Sequence, residues 1–245
     1  MIRYYLFSDK GGREINEDAV GHIEHDGKHC FVLCDGLGGH GMGDVASSLV
    51  RDTAEGLFKD YNRDSMIDFL TEAFEVAQQR LCGEQDKRNA RNKMKTTCII
   101  LATDNTEAYM GFIGDSRLYI FAGNEILRRT IDHSVPQRLA LAGQIKEKEI
   151  RHHPDRNKVL HVLGTEWGKA EYELLDSIPL DNCQAFLLCS DGFWECVDDK
   201  EMCRMLQKSD SPEEWVEKMA LLVKKRNKKT IDKMDNYSAI GVWVK

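Results

Sequence analysis

The residues of this chain best suited to chemistry are acidic: Glu17-Asp18, Asp35, Asp115, Asp191 and Asp235. Each stands at the end of a strand-like run or in a loop beside one. Several have a glycine neighbour, as in Asp35-Gly36, Gly114-Asp115 and Asp191-Gly192. Acids at strand ends can converge on one rim of a sheet assembly. Bare carboxylates gathered there would repel one another strongly without a counter-cation. Oxygen-only donors select hard cations such as Mg²⁺, Mn²⁺ or Ca²⁺ over zinc or copper. Two such ions close together can hold a bridging hydroxide and clamp a phosphoryl group. The plainer alternative, that each Asp caps a turn, accounts for any one of them better than for the whole set.

The stretch from Cys30 to Gly43 organises the rest. An apolar run, Cys30-Phe31-Val32-Leu33-Cys34, ends at Asp35, and a loop with five glycines follows. The run reads as a buried strand, and the glycines let main chain approach a ligand closely. Gly36-Leu37-Gly38-Gly39-His40-Gly41 also matches the dinucleotide fingerprint, with Glu55 near the spacing of a ribose-binding acid. Asp35 directly before the glycines would repel a pyrophosphate, and a second amphipathic helix follows where that fold needs a strand. No Gly-Lys-Ser/Thr follows, which excludes a Walker loop.

The elements that must position the acids come next. Strands are expected at Ile2 to Phe7 and Ala19 to Glu24, with Asp26-Gly27 as a hairpin turn. A helix carries Ala46, Leu49, Val50, Thr53, Ala54 and Leu57 on one face. A second spans about Ser65 to Leu81, capped by Asp64 or Ser65. Glu84 to Lys95 is charged and reads as a solvated loop or helix end. Strands follow at 97–103, 107–113, 118–122 and 125–129, joined by tight turns that imply antiparallel pairing. His133 to Thr165 is an accessory segment with short helices at Val135 to Leu141 and Glu147 to Ile150, exposing Lys146, Glu147, Lys148 and Arg151. Gln184 to Cys189 is another strand that ends at an acid. Two helices follow, the second opened by Ser211-Pro212 and closed by Lys224-Lys225-Arg226. Ser238 to Val244 is the last strand. The order implies an α+β layered fold with antiparallel sheets.

The chain has 245 residues and a formal net charge of −7, which argues against non-specific binding of nucleic acid. No apolar run is long enough to span a bilayer, and the N-terminus lacks a signal-peptide pattern, so a cytoplasmic protein is expected. The eight cysteines include Cys30, Cys34, Cys98 and Cys189 inside apolar runs, where reduced thiols act as small hydrophobes. No Cys-x-x-Cys pair suggests a zinc site.

Taken together, the chain resembles the metal-dependent protein serine/threonine phosphatases of the PPM (PP2C-type) class, in a bacterial form. The motifs run in family order over nearly the whole chain: Arg13-x-x-Asn16-Glu17-Asp18, Asp35-Gly36-Leu37-Gly38-Gly39-His40, Gly114-Asp115-Ser116-Arg117, Asp132-His133-Ser134, Ser190-Asp191-Gly192 and Asp235-Asn236. The resemblance implies a single domain over 1–245. It implies a four-layer α-β-β-α sandwich of two antiparallel sheets flanked by helix pairs, with a flap at about 133–165. It further implies two Mn²⁺ or Mg²⁺ ions with a hydroxide between them. Asp35 would bridge both ions and the Gly36 carbonyl would ligate one. Asp191 and Asp235 would complete one shell, and Glu17, mostly through water, would orient the other ion. Asp115, with Asp191, matches the position of a third ion. Arg13 would grip the substrate phosphate, a role that suits a bidentate guanidinium.

Leu37 stands where animal-type members carry a His proposed as the leaving-group acid. That leaves His40, a metal-bound water or no strong acid for the task. Glu195 either reaches toward the metals or serves as a helix N-terminal acid. The expected activity is hydrolysis of phosphoserine and phosphothreonine in proteins phosphorylated by a Ser/Thr kinase, by a monomer without nucleic-acid or membrane partners. The alternatives are a pseudophosphatase that binds phosphoproteins without turnover, and the dinucleotide-binding oxidoreductase weighed above.

Overall fold

A computed structural model of the chain describes residues 1–37, 41–61, 65–91, 93–167 and 171–244. Two antiparallel sheets lie face to face. The first has the order β2 (Asp18–His25), β3 (Lys28–Leu37), β5 (Cys98–Thr103), β6 (Glu107–Ile113) and β9 (Glu173–Pro179), with β4 (Lys95–Thr96) paired to the end of β3. The second has the order β1 (Ile2–Asp9), β11 (Tyr237–Val244), β10 (Ala185–Cys189), β7 (Arg117–Ala122) and β8 (Glu125–Arg129). Helices α1 (Gly43–Lys59) and α2 (Met66–Lys87) cover the first sheet, and α5 (Asp199–Gln207) and α6 (Pro212–Arg226) cover the second.

The period-two alternation of the strands builds these layers. In β3, Phe31 and Leu33 turn to the other sheet and pack with Ile99, Leu101, Ile120, Phe186, Leu188 and Ile240. Cys30, Val32 and Cys34 turn the opposite way, onto Val50, Phe58, Phe69 and Phe74. Such a strand is apolar on both faces, which is why it reads as an unbroken hydrophobic run. The second helix layer rests on Trp215, Val216, Met219 and Val223 against Phe121, Leu187 and Ala239. Burying a side chain of this size is worth about 1.5–3 kcal/mol. Cys30, Cys34, Cys98 and Cys189 are fully buried, and all eight cysteines are free thiols.

Local signals act as expected. Asp26 and Gly27 both take positive φ, 51° and 74°, in the β2–β3 turn. Ser65 caps α2 by accepting from the Asp68 amide at 3.2 Å, and Ser211 caps α6 by accepting from Glu214 at 3.1 Å. Asp64, the other candidate cap, lies outside the described residues, as do Gly38, Gly39 and His40.

Three expectations need correction. Strand β9 was not anticipated. It is an edge strand paired only to β6, with a register shift opposite Ala108 and Met110 that breaks its alternation. Three helices, not two, follow Asp191, the first being the single turn α4 (Asp191–Trp194). Arg151 is not an exposed flap charge. Its side chain is 12% exposed, and it donates to the carbonyls of Trp194 at 2.7 Å and Val197 at 3.1 Å. The segment between β8 and β9 otherwise contains α3 (Val135–Leu141) and a 3₁₀ turn at Glu147–His152. Among the described residues no helix is long and apolar enough to cross a membrane.

Candidate active site

The strand ends bring the acids together. Asp18 opens β2 and is the cross-strand partner of Asp35 near the end of β3. Asp115 lies in the turn between β6 and β7, Asp191 starts α4 directly after β10, and Asp235 lies just before β11. Because β10 and β11 are neighbours, the segments just beyond them meet, and a Cβ on Gly192, next to Asp191, would lie 3.3 Å from the Asp235 Cβ.

Hydrogen bonds fix the backbone under each carboxylate. The Asp35 amide donates to Thr97 Oγ1 at 3.0 Å, and its carbonyl accepts from the Thr97 amide and from Thr96 Oγ1, both at 2.9 Å. Thr97 Oγ1 lies 2.9 Å from Ser116 Oγ, which ties the Asp35 strand to the Asp115 turn. Trp194 Nε1 donates to the Asp115 carbonyl at 3.0 Å. Arg117 stacks over the Trp194 ring at 3.4 Å and binds Asp132 through two bonds of 2.9 and 2.7 Å. His133 completes this brace: its amide donates to the Gly114 carbonyl at 2.9 Å. The Asp132-His133 motif therefore holds the Gly114-Asp115 turn in place.

Gly36 is required by close approach. A Cβ there would lie 2.3 Å from the Gly43 carbonyl oxygen and 2.6 Å from that of Glu17. The Gly36 amide donates to the Glu17 carbonyl at 3.0 Å. Glu17 Oε1 accepts from the Gly43 amide at 3.2 Å, at the N-terminus of α1, while the Glu17 amide is held by Asn236 Oδ1 at 2.8 Å. Arg13 donates to Asp235 Oδ2 at 3.0 Å in an exposed pair.

The electrostatics are those of a group with too little positive charge. Burial, then Asp18, Asp191, Asp115 and Asp235, raise the Asp35 carboxyl well above its ordinary value. Burial and then Asp191 do the same to Asp115. Asp191 is pushed up to about 6 by burial and then Asp235, and Glu17 is raised by burial.

Two residues emerge that the motif reading underused. Asp18 is 8% exposed and is pushed up to about 7, chiefly by burial. Its Oδ2 accepts from Ser190 Oγ at 2.9 Å, but its Oδ1 has no hydrogen-bond partner. Its adjacency to Glu17 and its opposition to Asp35 in a hairpin were the available signals. Glu195 is pushed up to about 7 by burial and then by Asp191, and it accepts from Arg156 at 3.1 Å. Glu195 is the C-terminal cap residue of α4, its amide donating to the Asp191 carbonyl at 2.9 Å, so it is not the helix N-terminal acid that was one of its two expected roles.

No group of three described His, Cys, Asp or Glu side chains forms a ready cage around one point. The donor chemistry still fits hard cations. It offers carboxylate oxygens whose pKa values burial and mutual repulsion raise, one buried carboxylate oxygen without a partner, and a side-chain-free backbone at Gly36.

Comparison with known proteins identifies the family. The family model for protein phosphatase 2C matches residues 10–234. A serine/threonine phosphatase stp of Listeria innocua is 31% identical over 210 residues, covering 82% of this chain and 81% of that one. The protein phosphatase PhpP of Streptococcus pneumoniae is 29% identical over 213 residues, covering 84% and 85%. The crystal structure of serine/threonine phosphatase Stp1 from Staphylococcus aureus superposes with a TM-score of 0.90 at 29% identity, over 100% of this chain and 96% of that one. With two stacked antiparallel sheets, acids gathered at their strand ends and a family match over most of its length, the chain belongs to the protein phosphatase 2C family.

Proposed function

We propose that this protein is a metal-dependent hydrolase of phosphoserine and phosphothreonine in proteins. The observation that carries the reading is the strand-end carboxylate group, whose members Asp18, Asp35, Asp115 and Asp191 have no ion-pair partner among the described residues and which lies beside an exposed guanidinium, Arg13. In this reading Asp35 and the Gly36 carbonyl would hold the ions together with Asp191, Asp235 and Glu17, and Asp115 with Asp191 would offer a further position. Asp18 faces Asp35 across the hairpin and adds negative charge that a cation would offset. What Mn²⁺ or Mg²⁺ would supply there is a nucleophile from water at neutral pH and neutralisation of the phosphoryl oxygens.

The chain's own residues do the positioning. Thr96, Thr97 and Ser116 prevent the Asp35 and Asp115 backbones from shifting under electrostatic load. Arg13 pairs with Asp235 through one exposed contact, so a phosphate can replace that partner at little cost. A guanidinium offers a phosphate two parallel hydrogen bonds, which orients the ester. No cysteine serves as nucleophile in this reading. Burial raises the thiols of Cys30 and Cys34 well above the ordinary value, which keeps them protonated.

Hydrolysis of p-nitrophenyl phosphate and of a phosphothreonine peptide, with Mn²⁺, with Mg²⁺ and with chelator, tests the proposal. Turnover of both substrates that chelator abolishes is the expected result. Tight phosphopeptide binding without turnover would favour a pseudophosphatase.

A further inference from the structure

From the last turn of α6 toward β11 the chain carries a run of cations that the fold uses only in part. Lys224, Lys225 and Arg226 lie in the last turn of α6, where positive charge suits the helix terminus. Lys224 pairs with Asp9 at 3.0 Å and Arg226 with Glu201 at 2.8 Å. Lys228, Lys229 and Lys233 come after the helix. All three are exposed, and none has an ion-pair partner among the described residues. They sit on a compact turn in which the Thr230 amide donates to Asn227 and the Lys233 amide to Thr230, both at 2.9 Å.

This turn is fastened to the loop that carries Arg13. The Gly12 amide donates to the Met234 carbonyl at 3.0 Å. A Cβ on Gly11 would lie 2.1 Å from the Asp235 carbonyl oxygen, and one on Gly12 would lie 1.9 Å from that of Ile231. The two backbones are in direct contact. Asn236 Nδ2 also donates to the carbonyls of Lys10 at 2.9 Å and Ile15 at 3.1 Å. The loop that carries Lys10 and Arg13 and the turn that carries Lys228, Lys229 and Lys233 therefore lie against each other and form one rim of backbone. The acids on or beside it are Asp9, Glu14, Glu17, Asp232 and Asp235, of which Asp9 is engaged by Lys224 and Asp235 by Arg13. Its outer edge, residues 227–234, is basic, with three lysines against the single acid Asp232 in a chain whose net charge is −7.

We propose that this rim docks acidic residues next to the phosphorylated residue of protein substrates. The proposal rests on the phosphatase reading above, in which Arg13 receives the phosphate. The lysines extend positive charge outward from Arg13 on one side, so they meet the residues on one side of the phosphoresidue. An extended peptide advances about 3.3–3.6 Å per residue, and Lys233 is only two residues from the Asp235 that Arg13 contacts. The carboxylate floor would otherwise repel an acidic peptide, and the rim offsets that repulsion. Exposed ion pairs are individually weak. Several together speed encounter and lower KM, in a salt-dependent way.

The test compares a phosphoserine peptide flanked by Asp and Glu, the same peptide with Asn and Gln, and p-nitrophenyl phosphate. Wild type is measured beside the triple variants Lys228→Glu/Lys229→Glu/Lys233→Glu and Lys228→Gln/Lys229→Gln/Lys233→Gln. In wild type at low salt, kcat/KM for the acidic peptide should exceed that for the neutral peptide about fivefold or more, mainly through KM. Salt at 0.5 M should remove most of that preference. The Gln variant should lose the preference and the Glu variant should reverse it. Rates on the neutral peptide and on p-nitrophenyl phosphate should stay within about twofold of wild type. No preference in wild type, or an undiminished preference in both variants, overturns the proposal. Lysine-dependent binding to phosphatidylserine vesicles with unchanged peptide preference would assign the rim to a membrane and overturn it as well. Absence of turnover on all three substrates in Mn²⁺ would instead overturn the phosphatase reading. Anisotropy binding of the acidic peptide then still reads the rim, and equal affinity in wild type and the Glu variant counts against it.

Discussion

Two sets of buried carboxylates in this molecule have opposite circumstances. Asp132 has a fully buried side chain and is met by Arg117 through two hydrogen bonds and by Arg129 at 3.5 Å. Asp18, Asp35, Asp115 and Asp191 lie a short way off at the strand ends; burial is the strongest influence on each, and neighbouring acids add to it. The residue type and the depth are similar. The difference is that Asp132 has guanidiniums in direct contact, whereas none of those four acids has an ion-pair partner among the described residues. A buried carboxylate with guanidinium partners is a brace, and removing a partner leaves an uncompensated charge. A buried group of carboxylates without partners carries a standing electrostatic cost. Its persistence at the ends of well-packed strands is an argument for a ligand that brings positive charge.

The sharpest way to break this contrast is to neutralise one acid from each set. Asp35→Asn should lower metal-dependent turnover by about a thousandfold or more, if that carboxylate holds the ions as proposed. The same change relieves repulsion, so the metal-free protein should melt no lower than wild type. Near-normal turnover would remove Asp35 from the site. Asp132→Ala should do the reverse and destabilise the fold by about 3–5 kcal/mol, because Arg117 would be left buried and unpaired. Chemical denaturation measures this, and a loss below about 1 kcal/mol would show that the brace is dispensable.

A third experiment follows from the raised carboxyls. Folded-state values of about 7 for Asp18 and Glu195 and about 6 for Asp191 exceed the ordinary values of 3.8 and 4.5. The native state therefore holds more protons than the unfolded state between roughly pH 4 and pH 7, and stability falls as pH rises through that window. Melting of the metal-free protein should drop across it. Saturating Mn²⁺ should raise Tm by roughly 5–10 °C at pH 7 and much less at pH 5, where protons compete. A metal effect independent of pH would dissociate the ions from these groups.

The smallest effect concerns the exposed Arg13–Asp235 pair. Arg13→Ala should change stability by less than about 1 kcal/mol. It should lower kcat/KM roughly ten- to fiftyfold, mostly in KM. Unchanged kinetics on a phosphopeptide would make Arg13 a structural residue.

Strong local signals decided much of the fold. The double-faced run Phe31-Val32-Leu33, the Asp26-Gly27 turn and the Ser211-Pro212 helix start are written in residue types whose backbone preferences hold almost anywhere. The acids at strand ends were visible because a polar residue terminating an apolar run is conspicuous by itself. The motif order was equally legible, and it carried the family. Strand β9 was not visible, because an irregular edge strand exists through its partner β6 rather than through its own pattern. Nor could spacing reveal that Arg151 reaches back to the carbonyls of Trp194 and Val197, since a long charged side chain looks exposed until its neighbours are known. Asp18 is the clearest case. Its sequence neighbour Glu17 drew the attention, but cross-strand register sets Asp18 opposite Asp35 and buries it with one oxygen unpartnered. Residue order by itself determined which groups could bear charge and where strands would end. Only the tertiary structure decided which charges are compensated, because compensation depends on distances between segments that are remote in the chain.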